Sequence, residues 1–529
     1  MPGVEMSGQQ PAVGNRQSFE WRWVALAAAG VALLSSVPYL VVALTTPPDL
    51  RFGGALVNPI DGQSYFAKMR QGYDGAWLFR LPFTAGDEAD AFLFTFHLAL
   101  GHLARITGLS LAATYQAARF LGGWALLLVV YVLISRVFDS VAERRWAWAF
   151  VALTSGLGWL RASATDLTIP ESNTFFSILA NAHFALAAAL MVVVLVSVLD
   201  GSWRRAAPAA IGLAILQPFA PLAVFAALGV YLPVRWLRPS PLTSLPEAEA
   251  RRAFPVRPAL AGVVTGLSVA PLMAYFYVAT QRDPILQGWS AQNLTPSPPP
   301  IEYLAGYGLM ALLAIPGLRA AWRRGRDVDL LLAAWAISSA LLLYTPFPLQ
   351  RRFSLGLHIP IALLGMLGLL HVLAPQLRRR AARWLPRVAF ALSLPSTLLL
   401  LIATSSAALQ RLPDARLFFF ADESAAFDWL RDHAARDSVV LAAPETGLFL
   451  PAWADVRVLY GHPYETLNGE RMRSLLEAFL SGAIDREAII REYRVDYIFF
   501  GPHEARLGQP EAKWEAVFDS GDVTVYRVP

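Results

Sequence analysis

A polytopic α-helical membrane protein with a C-terminal extracytoplasmic α/β domain is the fold class this sequence predicts, on three observations. Of 529 residues, 56% are hydrophobic and only 16% charged, too apolar a balance for a soluble chain of this length. Apolar runs of about 20 residues, the length a ~30 Å hydrocarbon slab requires, recur through the first four hundred positions. Beyond Asp414 the apolar density falls, and short β-branched or aromatic runs alternate with amphipathic ones.

Residues 1–20 are polar and rich in Gly and Gln, and read as a disordered cytoplasmic tail. The run Trp23–Leu44 is too long for a signal-peptide core and lacks a small-residue cleavage pattern, so it is expected as a retained first helix. A polar loop, 45–110, follows. Inside it, Ala91–Ile106 is apolar with a polar stripe of His97, Gly101 and Arg105, a pattern assigned to the membrane surface. Further spans are expected at Ala112–Ser135, Trp146–Leu160, Phe175–Leu199, Ala206–Leu216, Phe219–Leu232, Pro258–Val278, Tyr303–Leu318, Val328–Tyr344, Ser354–Leu373 and Val388–Ala403, about eleven in all. The membrane domain is thus 21–410.

If Ala91–Ile106 does not cross, the arginine clusters around Arg136 and Arg144, Arg204 and Arg205, Arg235 to Arg257 (with Arg251 and Arg252), Arg319 to Arg326 and Arg378 to Arg387 share one side. The positive-inside rule makes that side cytoplasmic. The N-terminus is then inside and the domain 411–529 outside, in a bacterial inner membrane. Arginines serving topology also dispose of a nucleic-acid partner, which a pI of 9.4 would otherwise invite. Cysteine is absent, excluding disulfides and thiolate metal ligation.

In the last domain, Asp422–Ala434 and Gly469–Leu480 are expected helices, and Ser438–Ala443, Val456–Tyr460, Val495–Phe500 and Val523–Val528 expected strands. About a hundred residues suffice to bury a core.

The chemistry-bearing polar residues gather in the external loops. Asp61 opens a helix on which Ser64, Tyr65, Lys68 and Gln71 share its face, with room for a substrate over the roughly 10 Å between Asp61 and Lys68. Asp61 is the candidate general base, and Tyr65 and Lys68 candidate substrate contacts; Lys68 and Lys513 are the only lysines in the chain. The second loop offers Asp166 and Glu171 as further catalytic candidates. Asn181 and His183 sit just inside the next span, where an ionisable group needs a polar cavity or a partner. Arg351 and Arg352 are external, against the general charge trend; paired guanidinium forks suit a phosphate, and lipid headgroups are the plainer alternative. In 281–300, Trp289, Gln292 and Asn293 are sugar-binding types, an indole for a pyranose face and amides for hydroxyls. His97 and His102 are off the i, i+4 spacing of a shared metal, so no metal site is assigned. A divalent cation would fit only if Asp61, Asp166 and Glu171 converged.

Asp61 followed by Tyr65 and Gly72 after the first helix, the amphipathic segment, the acidic second loop, the outward arginine pair and the terminal domain together resemble the GT-C superfamily of polyprenyl-phosphate-sugar glycosyltransferases, which includes protein O-mannosyltransferases and lipid A aminoarabinose transferases. The resemblance implies that Asp61 acts at the reaction centre. It also implies a polyprenyl-phosphate-linked sugar donor, a glycan, lipid or protein acceptor and membrane lipids as surroundings; no cofactor is assigned, a divalent cation being the one candidate. Asp61 is followed by Gly62 rather than Glu, and Ala91–Ile106 lacks a His-Pro-Pro stretch; these departures leave the subfamily and acceptor open. Tyr460–Thr466 resembles a segment of bacterial members with no role that its chemistry alone assigns. A transporter or flippase of lipid-linked sugars, and a sugar-polymer ligase or polymerase, are the rival functions.

Overall fold

A computed structural model describes residues 13–86, 90–238, 254–409 and 414–528. Arg251, Arg252 and 411–413 therefore lie outside the described residues. Among those described, eight helices are long and apolar enough to cross a membrane: Ser18–Thr45, Leu111–Val137, Ala182–Leu199, Ala220–Leu237, Val256–Arg282, Pro300–Arg324, Gln350–Gln376 and Arg379–Ser405. The three other expected spans form shorter helices, Val141–Leu153, Trp203–Leu216 and Asp327–Leu342, of 13, 14 and 16 residues. At 1.5 Å per residue these reach only about 20–24 Å.

Two further departures have local causes. Helix α1 runs Val13–Thr45, so residues 13–20 are helical and not part of a disordered tail. The expected span Phe175–Leu199 is broken at Asn181, whose extended backbone (φ −139°, ψ 135°) separates Thr174–Ala180 from Ala182–Leu199.

The first loop is built on two helices. Helix α2, Pro59–Tyr73, starts behind Asn58, which takes a left-handed φ of 48°, and has Pro59 at its first position, where a missing N–H costs nothing. Helix α3, Thr95–Thr107, realises the amphipathic segment and does not qualify as a span. The two helices cross at near backbone contact: a Cβ on Gly101 would lie 1.9 Å from the Met69 carbonyl oxygen, and one on Gly72 2.0 Å from that of Leu98. Only glycine permits this approach. Helix α4, Leu111–Val137, then enters the bundle.

The C-terminal domain holds a five-stranded sheet ordered β4-β3-β5-β7-β6: β3 Val439–Leu441, β4 Arg457–Val458, β5 Val495–Phe500, β6 Glu515–Ser520 and β7 Val523–Arg527. β3 is parallel to β4 and β5, while β7 is antiparallel to β5 and β6. The expected helices appear as Ala421–His433 and Gly469–Ser481; Pro444–Trp453, Arg486–Tyr493 and β6 were not anticipated.

This domain is docked onto the first loop. Strand β1, Leu50–Phe52, pairs antiparallel with β2, Phe418–Phe420. Trp453 Nε1 donates to Gln63 Oε1 at 3.2 Å, and Arg70 Nε to the Ala452 carbonyl at 3.2 Å. Phe66, Met69 and Phe83 of the loop share one apolar cluster with Phe419, Phe427 and Phe449 of the domain. The loop is therefore held by the domain as well as by the bundle, and these contacts fix where α2 presents its polar face.

Candidate active site

Asp61 occupies the first turn of α2, where the exposed N–H groups favour a negative charge. Its Oδ1 lies 3.4 Å from His462 Nε2, in the C-terminal domain. The Asp61 side chain keeps 43% of its surface open, whereas His462 keeps 2%: the carboxylate is partly open, and the imidazole beside it is buried. Burial pushes the Asp61 carboxyl up. The adjoining His462 Nε2, and the charges of Arg352 and Lys68, outweigh this and hold it below the usual carboxylate range.

One and two turns along α2, Ser64 and Lys68 turn to a single acceptor. Lys68 Nζ is 2.7 Å from Glu465 Oε1, Ser64 Oγ donates to the same oxygen at 2.6 Å, and Lys68 Nζ donates to Ser64 Oγ at 2.5 Å. Lys68 is 1% exposed and its ammonium sits 4.0 Å from the centre of the Phe94 ring. Burial raises the Glu465 carboxyl, but the Lys68 charge, then His462 and the two hydrogen bonds, more than offset it and lower it. Lys68 is thus a latch between loop and domain, which corrects its assignment as a substrate contact: a buried, fully engaged ammonium has no free face.

Arg352 brings a third element. Its Nη1 lies 3.6 Å from Glu171 Oε1, and its charge reaches Asp61, Tyr65 and His183. Arg351 has a buried Nε with no hydrogen-bond partner among the described residues, and its main-chain N–H donates to the Thr295 carbonyl at 3.0 Å. Arg352, not Arg351, is the member of the pair whose charge acts on Asp61. Tyr65 stacks on His97 at 4.8 Å and meets His183 edge-on at 4.9 Å. Burial, then the Asp61 charge, lifts the Tyr65 phenol well above its ordinary value, so it stays a hydrogen-bond donor. Burial lowers His97 well below the usual imidazole range, leaving it neutral. Asn181 Oδ1 accepts from the Tyr115 hydroxyl at 3.1 Å.

Three expectations change. Asp166 is wholly buried, and its Oδ2 accepts from the N–H groups of Gly156 at 2.9 Å and Gly158 at 3.2 Å, so in this structure it braces a turn instead of standing open as a catalytic group. Gln292 donates to the carbonyls of Tyr464 at 2.9 Å and Thr466 at 2.8 Å and accepts from Asn468 N–H at 3.3 Å; with its amide so engaged it holds the Tyr460–Thr466 segment instead of a sugar. Trp289 packs edge-on against Phe94 at 5.8 Å beside an apolar cluster, its Nε1 without a partner among the described residues, and Asn293 stands half-buried at the end of its helix. Asp61, Asp166 and Glu171 do not converge: among the described residues no group of three His, Cys, Asp or Glu side chains is placed to hold a metal ion. Glu171 faces Arg352 and Asp166 faces backbone N–H groups, so the condition for a divalent cation is not met.

The contributions of His462, Glu465 and Ser64 were missed. Tyr460–Thr466 stood out in sequence for its Gly, His and Pro together, but its partners lie about four hundred positions earlier.

No protein-family model matches the chain, and no curated protein does. Solved structures match across nearly its whole length. The arabinofuranosyltransferase AftD from Mycobacteria aligns with 96% of this chain at 16% identity and a TM-score of 0.51, the alignment covering 40% of AftD. The fold is GT-C-like. ArnT from Cupriavidus metallidurans, in the apo state and bound to undecaprenyl phosphate, aligns with 95% and 94% of this chain and 98% of its own, at 15% identity and TM-scores of 0.48 and 0.49.

Proposed function

We propose that this chain is a glycosyltransferase that moves a sugar from a polyprenyl-phosphate donor to an acceptor hydroxyl, on the membrane face bearing the C-terminal domain. The arginine distribution supports reading that face as external. The observation that carries the proposal is that Arg352, on a loop almost three hundred residues further along the chain and paired with Glu171 at 3.6 Å, lies close enough for its charge to favour the ionised Asp61. A negative group beside a positive one, at the rim of a GT-C-like bundle, suits a reaction in which one oxygen loses a proton and another gains charge.

In the proposed step Asp61 takes the proton of the acceptor hydroxyl, and the freed oxygen forms a bond to the anomeric carbon. The bond from that carbon to the phosphate oxygen breaks, and the phosphate leaves with the electron pair. Arg352, aided by Arg351, neutralises the charge that builds on the departing phosphate. Glu171 sets the guanidinium in place, and the Tyr65 phenol, held protonated, donates to substrate oxygen. His183 lines the floor beneath. The anchored phosphate is itself the leaving group, so no nucleotide pocket is required.

Transfer from a radiolabelled polyprenyl-phosphate sugar, compared between wild type and Asp61→Asn, tests this. The amide cannot accept the proton, and turnover should fall by roughly 10²–10⁴-fold. Full turnover in the variant would remove Asp61 as the base, and sugar translocation without any transfer would favour a transporter.

A further inference from the structure

We infer that the C-terminal domain completes this site: His462, carried on the Tyr460–Thr466 segment, is a positioning residue that orients the Asp61 carboxylate. Its meaning for catalysis rests on the proposed transfer reaction; the contact itself does not.

The imidazole is fixed in both tautomer and aim. Nδ1 accepts from the N–H groups of Tyr464 at 3.2 Å and Glu465 at 3.1 Å, so the ring proton resides on Nε2. Nε2 makes no hydrogen bond within the domain, and the group it faces is Asp61 Oδ1, 3.4 Å away. That separation is one that substrate binding can tighten.

The segment is held on three sides. Gly461 packs against Gly447 so closely that a Cβ would lie 2.2 Å from the Gly447 carbonyl oxygen. Glu465 is bound by Lys68 and Ser64, and Gln292 holds the carbonyls of Tyr464 and Thr466. Thr466 N–H donates to the His462 carbonyl at 2.8 Å, and the Phe83 and Tyr464 rings flank the imidazole at 5.5 and 6.1 Å. A buried imidazole braced this fully, with one donor pointing out of its own domain at a carboxylate on another element, is a device for setting that carboxylate.

The other charged and titratable groups facing Asp61 are Arg352 from the Gln350–Gln376 segment, Lys68 and Tyr65 from its own helix, Tyr115 from α4 and His183 from the following span. Facing His462 are Asp61 and Glu465. Of all these, His462 acts most strongly on Asp61 in favour of its ionised form.

The test is carbodiimide modification of Asp61, which consumes the protonated carboxyl, followed by mass spectrometry across pH on full-length protein in nanodiscs. Wild type should label only in acid. His462→Phe should move the midpoint up by about one unit, giving about tenfold more label at a given pH above it. His462→Gln restores an N–H donor in place of the imidazole Nε2–H, and should recover part of that shift while keeping the fold if the Phe variant does not. Identical midpoints in wild type and the Gln variant, with an unshifted or unfolded Phe variant, would overturn the inference. In the transfer assay the acid limb of the pH profile should move with the label. A shifted label without transfer by any form would defeat the transferase proposal and leave the His462–Asp61 contact standing.

Discussion

Lys68 Nζ lies 2.7 Å from Glu465 Oε1, an ion pair, nearly without solvent, that ties the first loop to the C-terminal domain. Removing one member of such a pair leaves the other buried and uncompensated. Lys68→Met or Glu465→Gln should each destabilise the docked domain by about 3–5 kcal/mol, and the double variant by less than the sum. Thermal unfolding of the purified protein, with limited proteolysis of the domain, reads the effect. Because the Glu465 carboxyl is lowered in the folded protein, its stabilisation is complete above the unfolded value near pH 4.3 and lost as pH falls through the folded one. The domain should loosen in acid, not in base.

Arg352 pairs with Glu171 at 3.6 Å and lies 5.9 Å from the centre of the Phe219 ring, loose contacts that leave donors of its fork available. Arg352→Ala should weaken polyprenyl-phosphate binding by about ten- to a hundredfold, and Arg352→Lys should recover only part because the planar fork is lost. Titration of lipid phosphate into nanodisc-held protein checks both. Unchanged affinity in Arg352→Ala and in Arg351→Ala would remove the phosphate clamp.

The parts of this molecule that could be read from the chain are those where the membrane forces the answer. Apolar length marked the spans, and a carboxylate just beyond the first of them, with two arginines at the opposite charge bias, marked Asp61 and Arg352. Partners distant along the chain were not legible. Lys68 was singled out correctly but given to substrate, because nothing local announces that Glu465, 397 positions later, takes its charge. Composition reports apolarity and not where a helix stops, and that is decided by polar residues such as Gln217, which ends Trp203–Leu216.

Asp166 and Glu171, five positions apart, are alike in sequence and opposite in use. Asp166→Ala orphans the N–H groups of Gly156 and Gly158 and should cost about 2–4 kcal/mol of stability while leaving donor affinity in the folded fraction near wild type. Glu171→Ala frees Arg352 and should alter donor affinity instead. Parallel unfolding and lipid titrations separate the two; the reverse pattern would return Asp166 to the active site.

Asp455 gives a pH dependence of the opposite sign to Glu465. Burial, then the Asp74 charge beside it, pushes its carboxyl up to about 7 against the pull of Arg70 and Arg436. The folded form therefore binds the proton more tightly than the unfolded chain. Its stability is complete below the unfolded value near pH 3.9 and is lost as pH rises towards 7. Asp455 also holds a left-handed φ of 54°, a conformation asparagine tolerates well. Asp455→Asn should accordingly leave stability near pH 4 unchanged and raise it at pH 8, on the order of 2 kcal/mol once partial exposure is allowed for. Unfolding curves of the two proteins at both pH values decide the matter: equal gains at each pH would mean that the charge on Asp455 is not what strains the domain where it meets α2.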